Sequence, residues 1–200
     1  MSSLLDTLLA QASTWSALEM IAVAAAVLYL LLAIRQNIAC WLFALLSTAI
    51  YVYLFAAARL YMEAVLNAFY FAMAIYGWFS WRHGGDNDLR VSSRSIGFHS
   101  AAIACIVLVA ATNGWLLQRF TDAVFPYVDS LTTWAAIFAT WLVARKLLEN
   151  WWYWLIIDVA SIAIYWSRGL ELTALLFAVY VIMIPFGYLS WRKSQRATTA

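Results

Sequence analysis

Of 200 residues, 66% are hydrophobic, 17% aromatic and only 11% charged, where a soluble domain carries about 25% charged residues. With a mean hydropathy of +0.81, the composition excludes an ordinary soluble domain. The formal charge of +2, with no basic cluster larger than Arg192, Lys193 and Arg196, argues against a nucleic-acid partner.

In chain order, Met1 to Ser16 carries no basic residue, and Asp6 and Gln11 break its apolar patches, unlike a cleavable signal peptide. Seven apolar runs follow, each near the 20 residues or so that cross a bilayer. The first, 17–34, ends at Arg35 and reads as an uncleaved span. The second, 38–57, sets Asn37, Trp41, Thr48 and Tyr51 loosely on one side. The third, 61–81, places Glu63, Asn67, Tyr70, Trp78 and Trp81 at helical spacing on one face. The connection 82–95 (RHGGDNDLRVSSRS) is the most hydrophilic stretch of the chain. The fourth run, 96–117, begins near His99, which is expected to bond a neighbour rather than a metal. After 118–128, where Pro126 suits a helix start, come the fifth run at 129–147 and the sixth at 150–167. The sixth bears a stripe of Asn150, Trp151, Trp154, Asp158, Ser161 and Tyr165. The seventh, 171–191, bears Thr173, Phe177, Tyr180 and Trp191, with Pro185 in its second half. Cys40 and Cys105 fall inside apolar runs and read as small buried hydrophobes.

Basic residues favour the cytoplasmic side of a membrane protein. With the N-terminus outside, nine of the 12 Lys and Arg lie inside: Arg35, Arg82, Arg90, Arg94, Arg145, Lys146, Arg192, Lys193 and Arg196. Arg59, Arg119 and Arg168 lie outside. That imbalance requires an odd number of spans, so it supports seven and puts the C-terminus in the cytoplasm.

An internal repeat is also visible. Asn37-x3-Trp41, Tyr51, Arg59 to Ala64 and Tyr76-Gly-Trp-Phe-Ser-Trp-Arg82 are echoed by Asn150-x3-Trp154, Tyr165, Gly169 to Ala174 and Phe186-Gly-Tyr-Leu-Ser-Trp-Arg192. The offset is 113 residues at the Asn and Trp and 110 at the Gly and the final Trp-Arg, so one small gap between helices is expected. The expected architecture is all-α. A first three-helix repeat at 17–81 and a second at 129–191 are joined by a linker helix at 96–117, all in one membrane domain of 1–200. Parallel repeats of this kind carry transporter sites at their interface near the midplane.

Polar groups inside a bilayer face one another or a cavity. Asp158 lies near the middle of its span, where a charge costs on the order of 3 kcal/mol on insertion scales, and this favours a functional role. Asn67 and Tyr70 are divided between ligand contact and bonding to a neighbouring helix. Trp78, Trp81, Trp151, Trp152, Trp166 and Trp191 lie near span ends, where interfacial anchoring competes with ligand contact. Glu63 suits an outer mouth. There is no Gly-rich phosphate loop, no H-E-x-x-H and no G-x-S-x-G, so neither catalysis nor a cofactor is expected.

Several of these residues fall in motifs that resemble the PnuC nicotinamide riboside transporters. They are Asp129-Ser, Arg145-Lys-x-x-Glu149-Asn150-Trp151-x-x-Trp154, Asp158-Val-x-Ser161 and Gly169-Leu-x-Leu-Thr173-Ala. In the first half they are Leu60-Tyr61 and Asn67-x-Phe-Tyr70-x5-Tyr76-Gly77-Trp78-x-x-Trp81. The likeness covers about 17–192. Some members carry a carboxamide one methylene longer at the position of Asn67, and Asn at that of Asp158. The resemblance implies a SWEET-like three-plus-one-plus-three bundle, a homotrimer in the bacterial inner membrane and a single site between the repeats. It also implies facilitated diffusion of a vitamin, with direction imposed by a cytoplasmic kinase that phosphorylates the arriving nucleoside. Substrate contact is then expected from Trp41, Asn67, Tyr70, Trp154, Asp158 and Tyr180, and mouth or gating roles from Glu63, Trp78, Trp81, Asn150 and Trp151. A cationic aromatic ligand suits Trp, Tyr and a carboxylate, which ranks nicotinamide riboside first and thiamine second, with neutral riboflavin or a nucleoside behind. The rival class is a structural or sensory membrane protein without saturable uptake.

Overall fold

The computed structural model describes residues 6–8, 16–59, 61–82, 89–121, 125–167 and 169–199. Most of the N-terminal segment, the middle of the 82–95 connection and Arg168 fall outside them. Seven long helices account for nearly all the rest: α1 (Ala17–Ile34), α2 (Cys40–Ala57), α3 (Tyr61–Arg82), α4 (Ile96–Phe120), α5 (Pro126–Ala144), α6 (Asn150–Ser167) and α7 (Glu171–Thr199).

Local chemistry sets the ends. Ser16 and Glu19 form a reciprocal capping box on α1, satisfying two backbone N–H groups that the helix cannot. The second run is expected from 38, but α2 begins at Cys40, because the Asn37 side chain accepts the Ala39 N–H at 2.9 Å. The fifth run is expected at 129–147. Instead α5 starts at Pro126, whose fixed φ and missing N–H suit a first helical position. It stops at Ala144, before Lys146 turns the backbone left-handed at φ 49°. The last helix outruns its apolar stretch by about two turns.

Helix α1 packs on α2 and α2 on α3, while α5 packs on α6 and α6 on α7. Two contacts join these groups, α3 with α5 and α1 with α7, and the α4 backbone packs closely only against α5. Residues 110 apart play matching parts across this arrangement. Gln36 and Lys146 share a left-handed turn, as do Arg59 and Gly169. The Asn37 N–H bonds Leu32 O and the Leu147 N–H bonds Leu142 O. Gly77 lies against the Trp41 indole, and Gly187 against that of Trp151. The single offset of 110 replaces the expected mixture of 113 and 110. Trp41 matches Trp151 rather than Trp154, Asn37 matches Leu147, and no gap is needed. The apparent Asn-x3-Trp echo arose because α6 is so rich in Trp that a second match lies three residues away.

Helices α1, α2, α4 and α7 are long and apolar enough to cross a membrane. Their outward faces are strongly apolar, with Met20, Leu46, Leu108 and Ile182 among many exposed. Two of the other three carry buried polar groups, Ser130 and Thr140 on α5 and Asn150, Asp158 and Ser161 on α6.

Candidate functional site

At the end where most of the basic residues gather, four tryptophans form a chain through the interior. Trp41 meets Trp81 edge-on at 5.4 Å, Trp81 meets Trp191 at 6.2 Å, and Trp191 meets Trp151 at 5.5 Å. Trp41 is 1% exposed and Trp191 0%, whereas Trp152 and Trp166 are 51% and 54% exposed. The latter pair can anchor at an interface; the four in the chain cannot. Glycine permits this closeness, because a methyl group at 77 or 187 would occupy the space of an indole ring. The bonds that join the halves are reciprocal. Trp81 Nε1 donates to Val143 O at 3.3 Å, and Trp191 Nε1 donates to Ala33 O at 2.9 Å. Each acceptor is one of the last carbonyls of a helix, which also accepts the N–H of the following turn, Lys146 for Val143 O and Gln36 for Ala33 O, so the indole supplies a second bond. Lys146 Nζ lies 4.6 Å above the Trp81 ring.

Asn150 opens α6 at this end, wholly buried, with its Nδ2 donating to Leu147 O. Trp78 is half-buried against the same cluster. Of the residues expected at a mouth, Trp78, Trp81, Asn150 and Trp151 are thus brought together. Glu63 stands apart at the opposite end of α3 and is exposed. Trp41, expected among the substrate contacts, sits with the tryptophan chain.

A second constellation lies at mid-helix. Asp158 is at the midpoint of the 18-residue α6 and only 4% exposed. Tyr180 lies within electrostatic reach of Asp158 and Tyr51, while Tyr70 and Tyr51 both lie within reach of Tyr165. Tyr165 stacks on Phe177 at 5.2 Å, and Phe177 meets Tyr180 edge-on at 5.7 Å. Trp154, one helical turn before Asp158, packs with Tyr70 against Ala136, Ala139 and Ile157. Asn67, one turn before Tyr70, turns its Nδ2 to Glu63 O at 2.9 Å. Tyr70 and Tyr180 are 110 apart, so the two groups of helices each supply one. Asp158 is matched by Thr48, whose hydroxyl is spent on Ala44 O, so the carboxylate belongs to one side alone. Among the described residues no basic side chain pairs with it.

Sequence reasoning missed Glu19, which lies in electrostatic reach of Tyr51. The Ser16-x-x-Glu19 capping box was its only signal. Also missed was the docking of 89–95. The Ser92 N–H donates to Lys146 O and Ser92 O accepts from the Leu148 N–H, and Glu149 takes the Arg94 N–H. His99 Nδ1 lies 3.0 Å from the Tyr153 hydroxyl, so its partner is a neighbouring helix.

The family model for the nicotinamide mononucleotide transporter matches residues 16–193. The chain belongs to this family. It is 26% identical over 206 aligned positions to the nicotinamide riboside transporter PnuC of Escherichia coli, covering 90% of this chain and 86% of that one. It is also 25% identical to the riboflavin/roseoflavin transporter RibM of Streptomyces davaonensis, over 60% of this chain and 59% of that protein. A crystal structure of the vitamin B3 transporter PnuC superposes with a TM-score of 0.75 at 22% identity, covering 96% of this chain and 90% of that chain. The fold is therefore that of the solved transporter. Family membership and the apolar helices make this chain a multi-pass membrane transporter and not an enzyme.

Proposed function

We propose that the chain carries nicotinamide riboside across the bacterial inner membrane as a uniporter, its ligand held in the mid-helix constellation. The observation that carries this reading is the buried Asp158 carboxylate, one turn from Trp154 and within electrostatic reach of Tyr180. A carboxyl group at that depth without a basic partner is either protonated or offset by a cation, and a pyridinium bound against Trp and Tyr would supply the cation while gaining cation–π attraction. A mononucleotide fits less well. Its phosphate would enter a site that holds the Asp158 carboxyl, while no Lys or Arg of the sequence falls within the apolar runs 17–34, 38–57, 61–81, 96–117, 150–167 or 171–191. RibM among the relatives supports a second reading, but neutral riboflavin leaves Asp158 uncompensated.

In this reading all seven helices span the membrane, α1–α3 and α5–α7 being parallel repeats with α4 between them, and three copies form a homotrimer. Phosphorylation by a cytoplasmic kinase traps the arriving nucleoside. Proteoliposomes loaded with unlabelled riboside should exchange it for labelled riboside without ATP or an ion gradient. Thiamine, riboflavin and the mononucleotide should compete weakly or not at all. Accumulation above the outside concentration under a sodium or proton gradient, with no trapping enzyme, would overturn uniport. No saturable exchange of any vitamin would return the chain to a structural or sensory role.

The nine-to-three distribution of basic residues supports an N-terminus outside and a C-terminus in the cytoplasm. A cysteine at Ser13 should react with an impermeant reagent on intact cells, and one at Ser93 only after the membrane is opened. The reverse pattern rejects this orientation.

A further inference from the structure

Segment 89–95 crosses the end of the bundle where the four tryptophans meet. Its first residues alternate as extended chain does: Leu89 and Val91 are turned inward, Arg90 and Ser92 outward. Val91 is 5% exposed and belongs to the apolar cluster of Trp41, Trp81, Trp151 and Trp191, with Leu89 packed against it. The polar groups of this strap hold the α5–α6 turn. The Ser92 N–H donates to Lys146 O at 3.1 Å, and the Leu148 N–H donates to Ser92 O at 2.9 Å. The Arg94 N–H donates to Glu149 Oε1 at 3.2 Å. From the extension of α7, Gln195 Nε2 donates to Ser93 Oγ at 2.8 Å.

The same turn is where α3 meets α5. Trp81 Nε1 reaches Val143 O, Arg145 Nη1 donates to the Tyr76 hydroxyl at 3.5 Å, and Lys146 Nζ lies over the Trp81 ring. Lys146 therefore serves both contacts, its side chain on α3 and its carbonyl on the strap. The cluster that receives Val91 is also built by both groups of helices. Ala33, Trp41 and Trp81 come from one, and Val143, Leu148 and Trp151 from the other or its turn. If α3 parts from α5, this apolar seat comes apart and Val91 meets water. Docking of the strap and closure of this end thus favour each other. The matching turn of the other half, 33–39, takes no backbone bond from another segment among the described residues, so the strap acts on one half only.

We propose that 89–93 is a latch, which holds this end of the bundle shut and lifts from the α5–α6 turn each time solute passes there. It rests on the reading of the chain as a carrier that opens at both ends, and not on which vitamin is carried. Ser92, Ser93 and Arg94 are exposed, and their few bonds can open and reclose without unpacking the helices. Elements that gate a site are drawn from such weakly held segments.

Two arms test this in the full chain carrying Cys105→Ala, since Cys105 is exposed and Cys40 buried. In the first, Ser93→Cys and Gln195→Cys are joined by a short bifunctional methanethiosulfonate. Riboside exchange in proteoliposomes should fall at least about tenfold relative to Ser93→Cys alone treated likewise. A thiol should restore it, and the joined protein should still bind riboside in detergent. Joined protein that exchanges as fast as that reference would overturn the latch. The second arm needs no solute. Val91→Cys in detergent, well below its unfolding midpoint, should react with a maleimide far more slowly than Ser93→Cys. Adding Trp81→Phe, which keeps a ring but removes the bond to Val143 O, should speed that reaction about tenfold, the weight of one lost hydrogen bond. A Val91→Cys protein as reactive as Ser93→Cys, or indifferent to Trp81→Phe, would also overturn the proposal. A chain that behaves as expected in the second arm but exchanges no riboside even untreated would sink the carrier reading and leave the tie between strap and closure standing.

Discussion

Gly187→Val is expected to be among the most damaging single changes outside the ligand site. Any side chain at 187 projects into the Trp151 indole, which is itself fixed edge-on to Trp191. Overpacking of this kind costs about 1–3 kcal/mol, and here it also pushes α7 away from α6 and strains the bond from Trp191 to Ala33 O. The thermal unfolding midpoint in detergent should fall by several degrees, and exchange activity should be nearly lost. Gly77→Val should do the same through Trp41. Gly97→Val meets nothing nearer than Ser95 Oγ at 4.0 Å and should pass almost unnoticed. Combining Gly187→Val with Trp151→Ala, which vacates the space, should recover part of the midpoint. A double variant no better than Gly187→Val alone would show that this contact is not the source of the damage.

The second large effect is expected at Asp158 and Trp154. The two are four residues apart and therefore about 6 Å along one helix face, a spacing that lets a flat cationic ring meet an aromatic surface and a carboxylate together. Trp154→Ala should weaken a cationic ligand by about 1–2 kcal/mol, roughly five- to thirtyfold. Asp158→Asn should weaken nicotinamide riboside more than its neutral reduced form, because only the oxidised ring carries the charge that the carboxylate offsets. Binding of both forms to folded variants, measured calorimetrically, separates the cases. Equal losses for the two forms reject the counter-charge and leave the Trp154 contact to be judged separately.

Much of this was legible in the sequence because lipid makes simple demands. Helices of the right length were found at 17–34 and 150–167 to the residue, since apolar runs bounded by Ser16 and Arg35, or by Asn150 and Ser167, have few other ways to end. The stripe from Trp154 through Asp158 to Tyr165 followed from helical spacing alone. The tryptophan chain did not. Trp81, Trp151 and Trp191 lie near the ends of their runs, where an exposed anchor and an interior contact read alike. What separates them is Gly77 and Gly187, whose meaning depends on which indole arrives from another helix. Nor could spacing show that 89–95 docks on the α5–α6 turn, because backbone bonds such as those of Ser92 to Lys146 and Leu148 leave no mark on side-chain identity.

The reciprocal indole bonds also set a timetable for assembly. Trp81 waits 62 residues for Val143, and Ala33 waits 158 residues for Trp191. At synthesis rates of about 5–20 residues per second, the second delay is roughly 8–30 s. Throughout that interval the end of α1 lacks its eventual indole donor, and α2 to α6 are completed before that donor arrives. The last contact to close joins the first long helix to the final one, so a chain that loses its closing residues from Trp191 onward forfeits the bond that ties its beginning to its end.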